Sequence, residues 1–409
     1  MRVTVFAFVF LSLAAARSQA EPMYDAPRGP RALLETGQSA AAQGDLAGAE
    51  ADLRAATRLF AAAGTLSAAE RSQYVLALDR LAFVLSATDR GAEAVALCRR
   101  AVEIGEAPAD VANTLVLLAG LLVKQGRAAE AEPLARRAVK LFEKNGDRRE
   151  DPAVARALNA LADARVARGD LDQADQLLRR AARAAEGHPD LLPTLAAVIA
   201  RRGLLRLAAG RYQDAEPLLE RSVELTEDAY GVDHPVLVNV LRTLGDCYRL
   251  RNRPAEAQEV YERSLAMGEK IHGTAHRELL PSISGLAAVV EHLGDDPRAE
   301  SLYARAVAIA DAALDAKHAD RALYLAGLAG FHGKHQASER AEILYLEAMD
   351  VLDEAPNASP THWTTVLEGL RSVYLATGRR AEADRIGRRL TALLRPARAA
   401  LDRADDPAA

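Results

Sequence analysis

The stretch GRYQDAEPLLERS, residues 210–222, decides the fold of this chain. It opens on a glycine and a few polar residues. An alanine follows, then a large apolar residue four positions on and a small residue three positions after that. On a helix these three residues share one stripe. The phrase therefore predicts a turn that leads into a helix packed closely against its neighbours.

The same phrase recurs along the chain, so the unit is a repeat. Its further copies are GDLAGAEADLRAA (44–56), GRAAEAEPLARRA (126–138), GDLDQADQLLRRA (169–181), RPAEAQEVYERS (253–264), DPRAESLYARA (296–306), SERAEILYLEA (338–348) and GRRAEADRIGRRL (378–390). The key alanine lies at positions 49, 94, 131, 174, 215, 257, 299, 341 and 383. The intervals are 45, 37, 43 and 41 residues and then 42 four times, which predicts about nine copies.

A second motif, a leucine followed by glycine or alanine, precedes five of the turns: Leu118-Ala119, Leu161-Ala162, Leu244-Gly245, Leu286-Ala287 and Leu328-Ala329. A small residue after a large one at a fixed offset marks a point where two helices cross. Each copy is thus a helix–turn–helix hairpin that cannot bury its apolar face alone. HEAT-like or armadillo-like arrays are the alternative, but they lack this spacing of small and large residues.

These motifs resemble the tetratricopeptide repeat family over roughly residues 30–393. The 42-residue spacing is similar to that of the kinesin-light-chain-like subclass, whose inter-repeat loop reads Gly-x-x-His-Pro; here that loop is GVDHP, 231–235. The resemblance implies an all-α fold of tandem helix–turn–helix repeats stacked as a right-handed α-solenoid. It also implies that His234 packs the turn before the next helix.

The two ends of the chain differ from the array. Residues 1–20 combine Arg2, an apolar run of about 14 residues and a small-residue pattern before Glu21, which predicts a cleaved signal peptide. Retention of this segment as an anchor is the alternative. We expect a linker over 21–29, a flexible tail over 394–409, and a location in the periplasm or outside the cell, with no membrane span after cleavage.

Charge and motifs narrow the class of function. The formal net charge is −5 and no basic block occurs, so we do not expect nucleic acid as a partner. No P-loop, GxSxG, HExxH or paired CxxC motif is present. We therefore predict a non-catalytic protein without a cofactor or metal, and we interpret His332 and His335 as solvated or capping rather than as zinc ligands.

The resemblance implies that the first helix of each hairpin lines a concave face that contacts a partner. Polar residues at the inward positions are the candidate partner-binding set. They are Asn113, Arg156, Asn159, Asp163, Asn239, Arg242, Asp246, Arg249, Glu291 and His292. Their spacings of three and four place each group on one helical face. A solvated face with internal ion pairs is the alternative for any one of them.

The function that these features predict is a protein–protein interaction scaffold of the cell envelope. Its concave face would hold a peptide or a partner's helix. Self-association through convex faces or array ends is a second hypothesis, and a metal-binding protein is a third. Of the Asn pattern that peptide-holding members use, only Asn159 is kept, so the resemblance transfers no known ligand.

Overall fold

The computed structural model describes residues 29–404, apart from 89, 146–151 and 357. The predicted signal peptide and linker therefore lie outside the described residues, except for Gly29. The described part of the chain is helical throughout, and it divides into two compact units, one ending at His234 and one beginning at Pro235.

Unit 1 contains five helical hairpins. Their helices are α1 (Pro30–Ala42), α2 (Leu46–Ala62), α3 (Ala68–Ala87), α4 (Gly91–Ile104), α5 (Pro108–Lys124), α6 (Ala128–Asn145), α7 (Pro152–Val166), α8 (Leu171–Ala185), α9 (Leu192–Ala208) and α10 (Tyr212–Tyr230). A single 3₁₀ turn, Pro189–Leu191, precedes α9. First helices of successive hairpins touch one another along the unit.

Unit 2 contains four more hairpins. Their helices are α11 (Val236–Leu250), α12 (Pro254–His272), α13 (Leu280–His292), α14 (Asp296–Ala313), α15 (Asp320–Lys334), α16 (Ser338–Glu354), α17 (Pro360–Ala376) and α18 (Arg380–Ala404). A 3₁₀ turn, Arg277–Leu279, precedes α13. The nine hairpins among the described residues confirm the prediction of about nine tandem helix–turn–helix repeats.

The key alanine fixes the packing of every hairpin. All nine of these alanines lie on the second helix of their hairpin, and each is 0% exposed. Because the alanine side chain is only a methyl group, the first helix can approach closely. The residue four positions on is equally buried in unit 1, as Leu53, Leu178 and Leu219 show.

The turns of eight hairpins contain a residue with positive φ, and the turn between α3 and α4 includes residue 89, which lies outside the described residues. The six turn glycines named by the repeat have φ between 68° and 85°; they are Gly44, Gly126, Gly169, Gly210, Gly294 and Gly378. Two hairpins of unit 2 place Asn252 (φ 59°) and Gln336 (φ 61°) at this position instead. A left-handed residue ends the first helix in each of these hairpins and lets the chain reverse.

In three of the four described hairpins of unit 2 a buried tyrosine replaces the aliphatic residue of the second helix, whereas α18 has Gly387 there. Tyr261 is 0% exposed, and a Cβ atom added at Gly285 would lie 2.5 Å from its ring. A Cβ atom added at Gly245 would lie 2.9 Å from the same ring. The glycines of α11 and α13 thus make the space that the larger side chain needs.

The loop before unit 2 is packed as the resemblance implies. His234 is buried and its ring stacks on Tyr230, with centroids 4.3 Å apart. The histidine expectation was wrong at one position, since His332 is buried beside Phe331 rather than solvated. Both cysteines are buried, and burial raises the pKa of the Cys98 thiol, with a further contribution from Asp79.

The last helix is longer than the sequence suggested. The array was expected to end at 393, but α18 continues through Pro396 to Ala404. The segment is rich in Ala, Leu and Arg, which favour helix, and this composition carries the backbone past the proline. Trp363 of α17 packs against the core of the final hairpins, and Arg389 of α18 lies over its ring at 4.5 Å.

Candidate functional site

The first helices of unit 1 line a groove of about 850 Å³. Its walls come from α3, α5, α7 and α9, with α8 contributing at the base. The apolar lining residues include Phe83, Val116, Leu117, Leu121, Val166, Leu204 and Leu205. Three of them are unusually accessible for their size: Phe83 is 39% exposed, Val166 39% and Leu204 45%. The groove thus presents apolar surface that the fold of the unit leaves uncovered.

One polar cluster lies within this apolar lining. Arg156, Asn159 and Asp163 follow one face of α7, and Arg201 of α9 forms an ion pair with Asp163. Part of the Arg201 side chain stays accessible, and burial of the rest lowers the pKa of its guanidinium. Since an arginine pKa starts far above neutrality, the group keeps its charge.

Asn159 is the least satisfied member of the cluster. Its Oδ1 atom is buried and has no hydrogen-bond partner among the described residues. An unmet acceptor of this kind costs free energy in the unliganded protein, and a donor on a bound molecule would recover it. The amide therefore marks a point where the groove can receive an N–H group.

The structure brings three of the predicted residues together and places a fourth nearby. Arg156, Asn159 and Asp163 all line the groove, and Asn113 of α5 accepts a long contact of 3.5 Å from the Arg156 guanidinium. Sequence reasoning missed the apolar lining and Arg201. The sequence of α5 indicated this apolar lining, because its run VLLAGLLV (116–123) is apolar on all sides. Such a helix needs apolar contacts on both of its faces.

The predicted residues of α11 in unit 2 are engaged by one another. Asp246 accepts hydrogen bonds from the Arg242 guanidinium at 3.0 Å and from the Tyr261 hydroxyl at 2.6 Å. Arg249 approaches the same carboxylate at 4.0 Å, and Asn239 is exposed one turn before Arg242. Burial and this carboxylate raise the pKa of the Tyr261 hydroxyl.

The predicted acid of α13, Glu291, also has partners within the protein. Glu291 is only 10% exposed; it accepts from the Tyr303 hydroxyl at 3.0 Å and from Lys334 Nζ at 2.7 Å. His292 is exposed at the end of the helix. The contacts of Asp246 therefore lie within its own hairpin, whereas Glu291 contacts both its own hairpin, through Tyr303, and the next one, through Lys334.

Ser359, His362 and Asp320 form a hydrogen-bonded chain that resembles a catalytic triad. The Ser359 backbone N–H donates to His362 Nδ1 at 3.0 Å, and the serine hydroxyl lies 2.6 Å from the same nitrogen. Because Nδ1 accepts, Nε2 carries the proton and donates to Asp320 at 2.9 Å. These contacts form the N-terminal cap of α17. The residue after the serine, Pro360, has no backbone N–H that would need a hydrogen-bond partner.

Two further features were sought across the described residues. They contain no group of three or more histidine, cysteine or acidic side chains placed to hold a metal ion. Within residues 29–404, outside the gaps, no helix combines the length and the apolar character that crossing a membrane requires.

Comparison with known proteins supports the repeat assignment. A tetratricopeptide repeat family model matches residues 74–144, 110–187 and 195–270. No curated protein matches the chain.

Several solved structures are similar to this chain. A kinesin light chain from Podosopora anserina with nearly identical repeats is 24% identical over 51% of this chain and 100% of its own, with a TM-score of 0.44. The apo form of RapI is 12% identical over 90% of this chain and 98% of its own, with a TM-score of 0.65. A Rap protein complexed with competence and sporulation factor is 14% identical over 79% of this chain and 85% of its own, at 0.52.

The likeness to RapI and to the Rap complex is one of fold. Together with the nine hairpins, the buried alanine register and the matched repeats, it leads to one assignment. The chain carries tetratricopeptide repeats, matched by the family model within residues 74–187 and 195–270, and the helical hairpins of the described residues follow the same pattern.

Proposed function

We propose that the groove of unit 1 binds an extended segment of a partner protein. The observation that carries this proposal is the groove itself, in which uncovered apolar surface surrounds an amide oxygen without a partner. An extended backbone presents N–H groups at regular intervals, so one of them would donate to Asn159 Oδ1. Neighbouring side chains would enter the apolar lining beside Leu204 and Phe83.

The chemistry of the groove describes the segment that fits it. Apolar side chains gain from covering the exposed parts of Phe83, Val166 and Leu204. Arg156 and Lys124 line the groove without an ion-pair partner among the described residues. We therefore expect a segment with two or more apolar residues and low positive charge.

The place of action is also part of the proposal. The sequence of residues 1–20 supports export, so the partner would be a protein of the cell envelope or the exterior. Mass spectrometry of the protein from its native host tests this proposal: a mature N-terminus at Glu21 is expected, and a retained Met1 would contradict cleavage.

The groove is tested by selecting peptides on the full chain from a displayed random library and measuring their affinities by fluorescence anisotropy. Leu204→Glu places a charge in the groove and should weaken a selected peptide at least tenfold. Leu250→Glu is the matched control, because Leu250 is 41% exposed on a first helix of unit 2 and should leave the affinity unchanged. Equal affinity for both variants and the parent protein would refute the assignment of the groove.

A further inference from the structure

The outer faces of the second helices carry a repeating ion pair. The arginine of this pair lies six residues after the key alanine of its own helix. Its partner is an acid on the preceding second helix, twelve residues after the key alanine of that helix. Arg305 meets Glu269 at 2.5 Å, Arg389 meets Asp353 at 2.6 Å, and Arg180 contacts Glu143. This rule holds at these three junctions, one in unit 1 and two in unit 2, and at each of them it joins consecutive hairpins.

Arg137 of α6 occupies the arginine position of this rule and lacks its partner. The acid that should meet it is Glu106, which lies beyond the end of α4 at Ile104. Glu106 instead pairs with Arg71 at 3.1 Å. The cause is the short interval of 37 residues before α6, which ends α4 before it reaches the acid.

Arg137 and its neighbours on α6 line a basic pocket of about 420 Å³. It is lined by Glu132, Pro133, Arg136, Arg137, Lys140 and Arg168. Arg137 also lines a second pocket next to it, with Val102 and Leu134 among the apolar residues there. None of these residues lines the groove described above.

The single acid of the basic pocket does not neutralise it. Glu132 is buried and contacts three guanidinium groups, those of Arg136, Arg165 and Arg168. Burial by itself would raise the pKa of Glu132, but these three cations lower it, so the carboxylate stays charged. Arg137 and Lys140 have no ion-pair partner among the described residues, which leaves several N–H donors facing the pocket.

We propose that this pocket binds a phosphate-class oxyanion, a compact group with two or more negative charges. Several guanidinium and ammonium donors around one small volume suit such a group, since arginine matches its oxygens in pairs and lysine adds a point charge. The oxyanion could be free in solution or be the headgroup of a lipid. The second pocket beside Arg137 mixes apolar side chains such as Leu115, Leu118 and Leu134 with the charged Arg99, Glu103 and Glu130, and its apolar part would receive the rest of an amphiphilic molecule.

The test uses the full chain and two probes, inorganic pyrophosphate by titration calorimetry and phosphatidylglycerol vesicles by co-sedimentation. The pocket variant is Arg137→Gln with Lys140→Gln. The matched control is Arg58→Gln with Arg183→Gln, because these exposed arginines of α2 and α8 hold the position that Lys140 holds on α6. Both variants remove two positive charges from outer faces of second helices in unit 1.

We expect pyrophosphate to bind at low salt, the pocket variant to weaken it at least tenfold and the control to leave it nearly unchanged. Binding of vesicles alone, lost in the pocket variant and kept in the control, would support the proposal and identify a lipid headgroup as the source. The proposal is overturned if neither probe binds, or if the two variants lose binding equally. Peptide binding in the groove should be unaffected in every case.

Discussion

The first-helix faces of the two units differ in how their polar groups are satisfied. In unit 2 the hydroxyls of Tyr261 and Tyr303 reach the carboxylates of Asp246 and Glu291. In unit 1 the same second-helix position holds aliphatic or small residues, such as Ala135 and Leu178, which have nothing to donate. Leu178 lines the groove there instead.

This difference shows how one repeat can build two kinds of surface. A tyrosine four residues after the key alanine donates a hydrogen bond to the acid of the first-helix face and fills the space between hairpins. A leucine or alanine has no hydroxyl to donate, so the polar groups of the first helix make other contacts, as Asp163 does with Arg201, or have no partner among the described residues, as with Asn159 Oδ1. The binding role proposed for the groove would therefore depend on a residue that itself lies in the core.

Removing the tyrosine should have the largest effect on this comparison. Tyr261→Ala deletes a fully buried ring and leaves Asp246 without a donor, so we expect a loss of about 3–5 kcal/mol in the free energy of unfolding. Tyr261→Phe keeps the ring and should lose only about 1–2 kcal/mol. Guanidinium denaturation followed by circular dichroism measures both. Equal losses for the two variants would show that the ring contributes little.

A buried acid of unit 1 that lacks both tyrosine and cation should respond to pH. Asp79 accepts from Thr114 at 2.8 Å, while its Oδ1 atom has no partner, and burial raises its pKa from 3.8 to about 7. Because the folded pKa lies above the unfolded one, the stability present below pH 4 is lost as the pH rises through 7. Asp79→Asn should gain roughly 2–4 kcal/mol at pH 8 and little at pH 4.

Urea denaturation at the two pH values measures this gain. The control is Glu103→Gln, an exposed acid on α4 that should shift neither midpoint. A gain of equal size at pH 4 and pH 8 would contradict the role of ionisation.

One glycine substitution should act in opposite directions in the two units. Gly285→Ala drives a methyl group into the Tyr261 ring, and we expect it to destabilise by about 1–3 kcal/mol. Gly120→Ala on α5 meets no atom within 4 Å, and it should stabilise its helix by about 0.5–1 kcal/mol. Thermal denaturation measures both signs. A stabilising Gly285→Ala would mean that the ring has room to move.

The outer ion pairs should contribute least. Arg389 and Asp353 are 37% and 54% exposed, and solvent screens their attraction. Asp353→Asn should therefore cost under about 1 kcal/mol, and less at high salt. Denaturation in low and high salt measures the change. A loss as large as that of Tyr261→Phe would contradict a screened surface contact.

Sequence periodicity predicted the hairpins, the left-handed turns and the buried alanines, because each depends on residue size at a fixed spacing. The groove was only partly predictable. Asn159 and Arg156 could be placed on one face of α7, but Arg201 meets Asp163 only through packing of α7 against α9. The hydrogen bond from the Tyr261 hydroxyl to Asp246 also depends on tertiary packing, so the spacing of these residues in the sequence does not predict it.

Hydrogen exchange of the full chain, with and without a selected peptide, tests the central claim most directly. If the groove of unit 1 is the binding surface, protection should rise in α5, α7 and α9 and stay unchanged in α11 and α13. Protection that rises in α11 and α13 instead, with α5, α7 and α9 unchanged, would contradict the account.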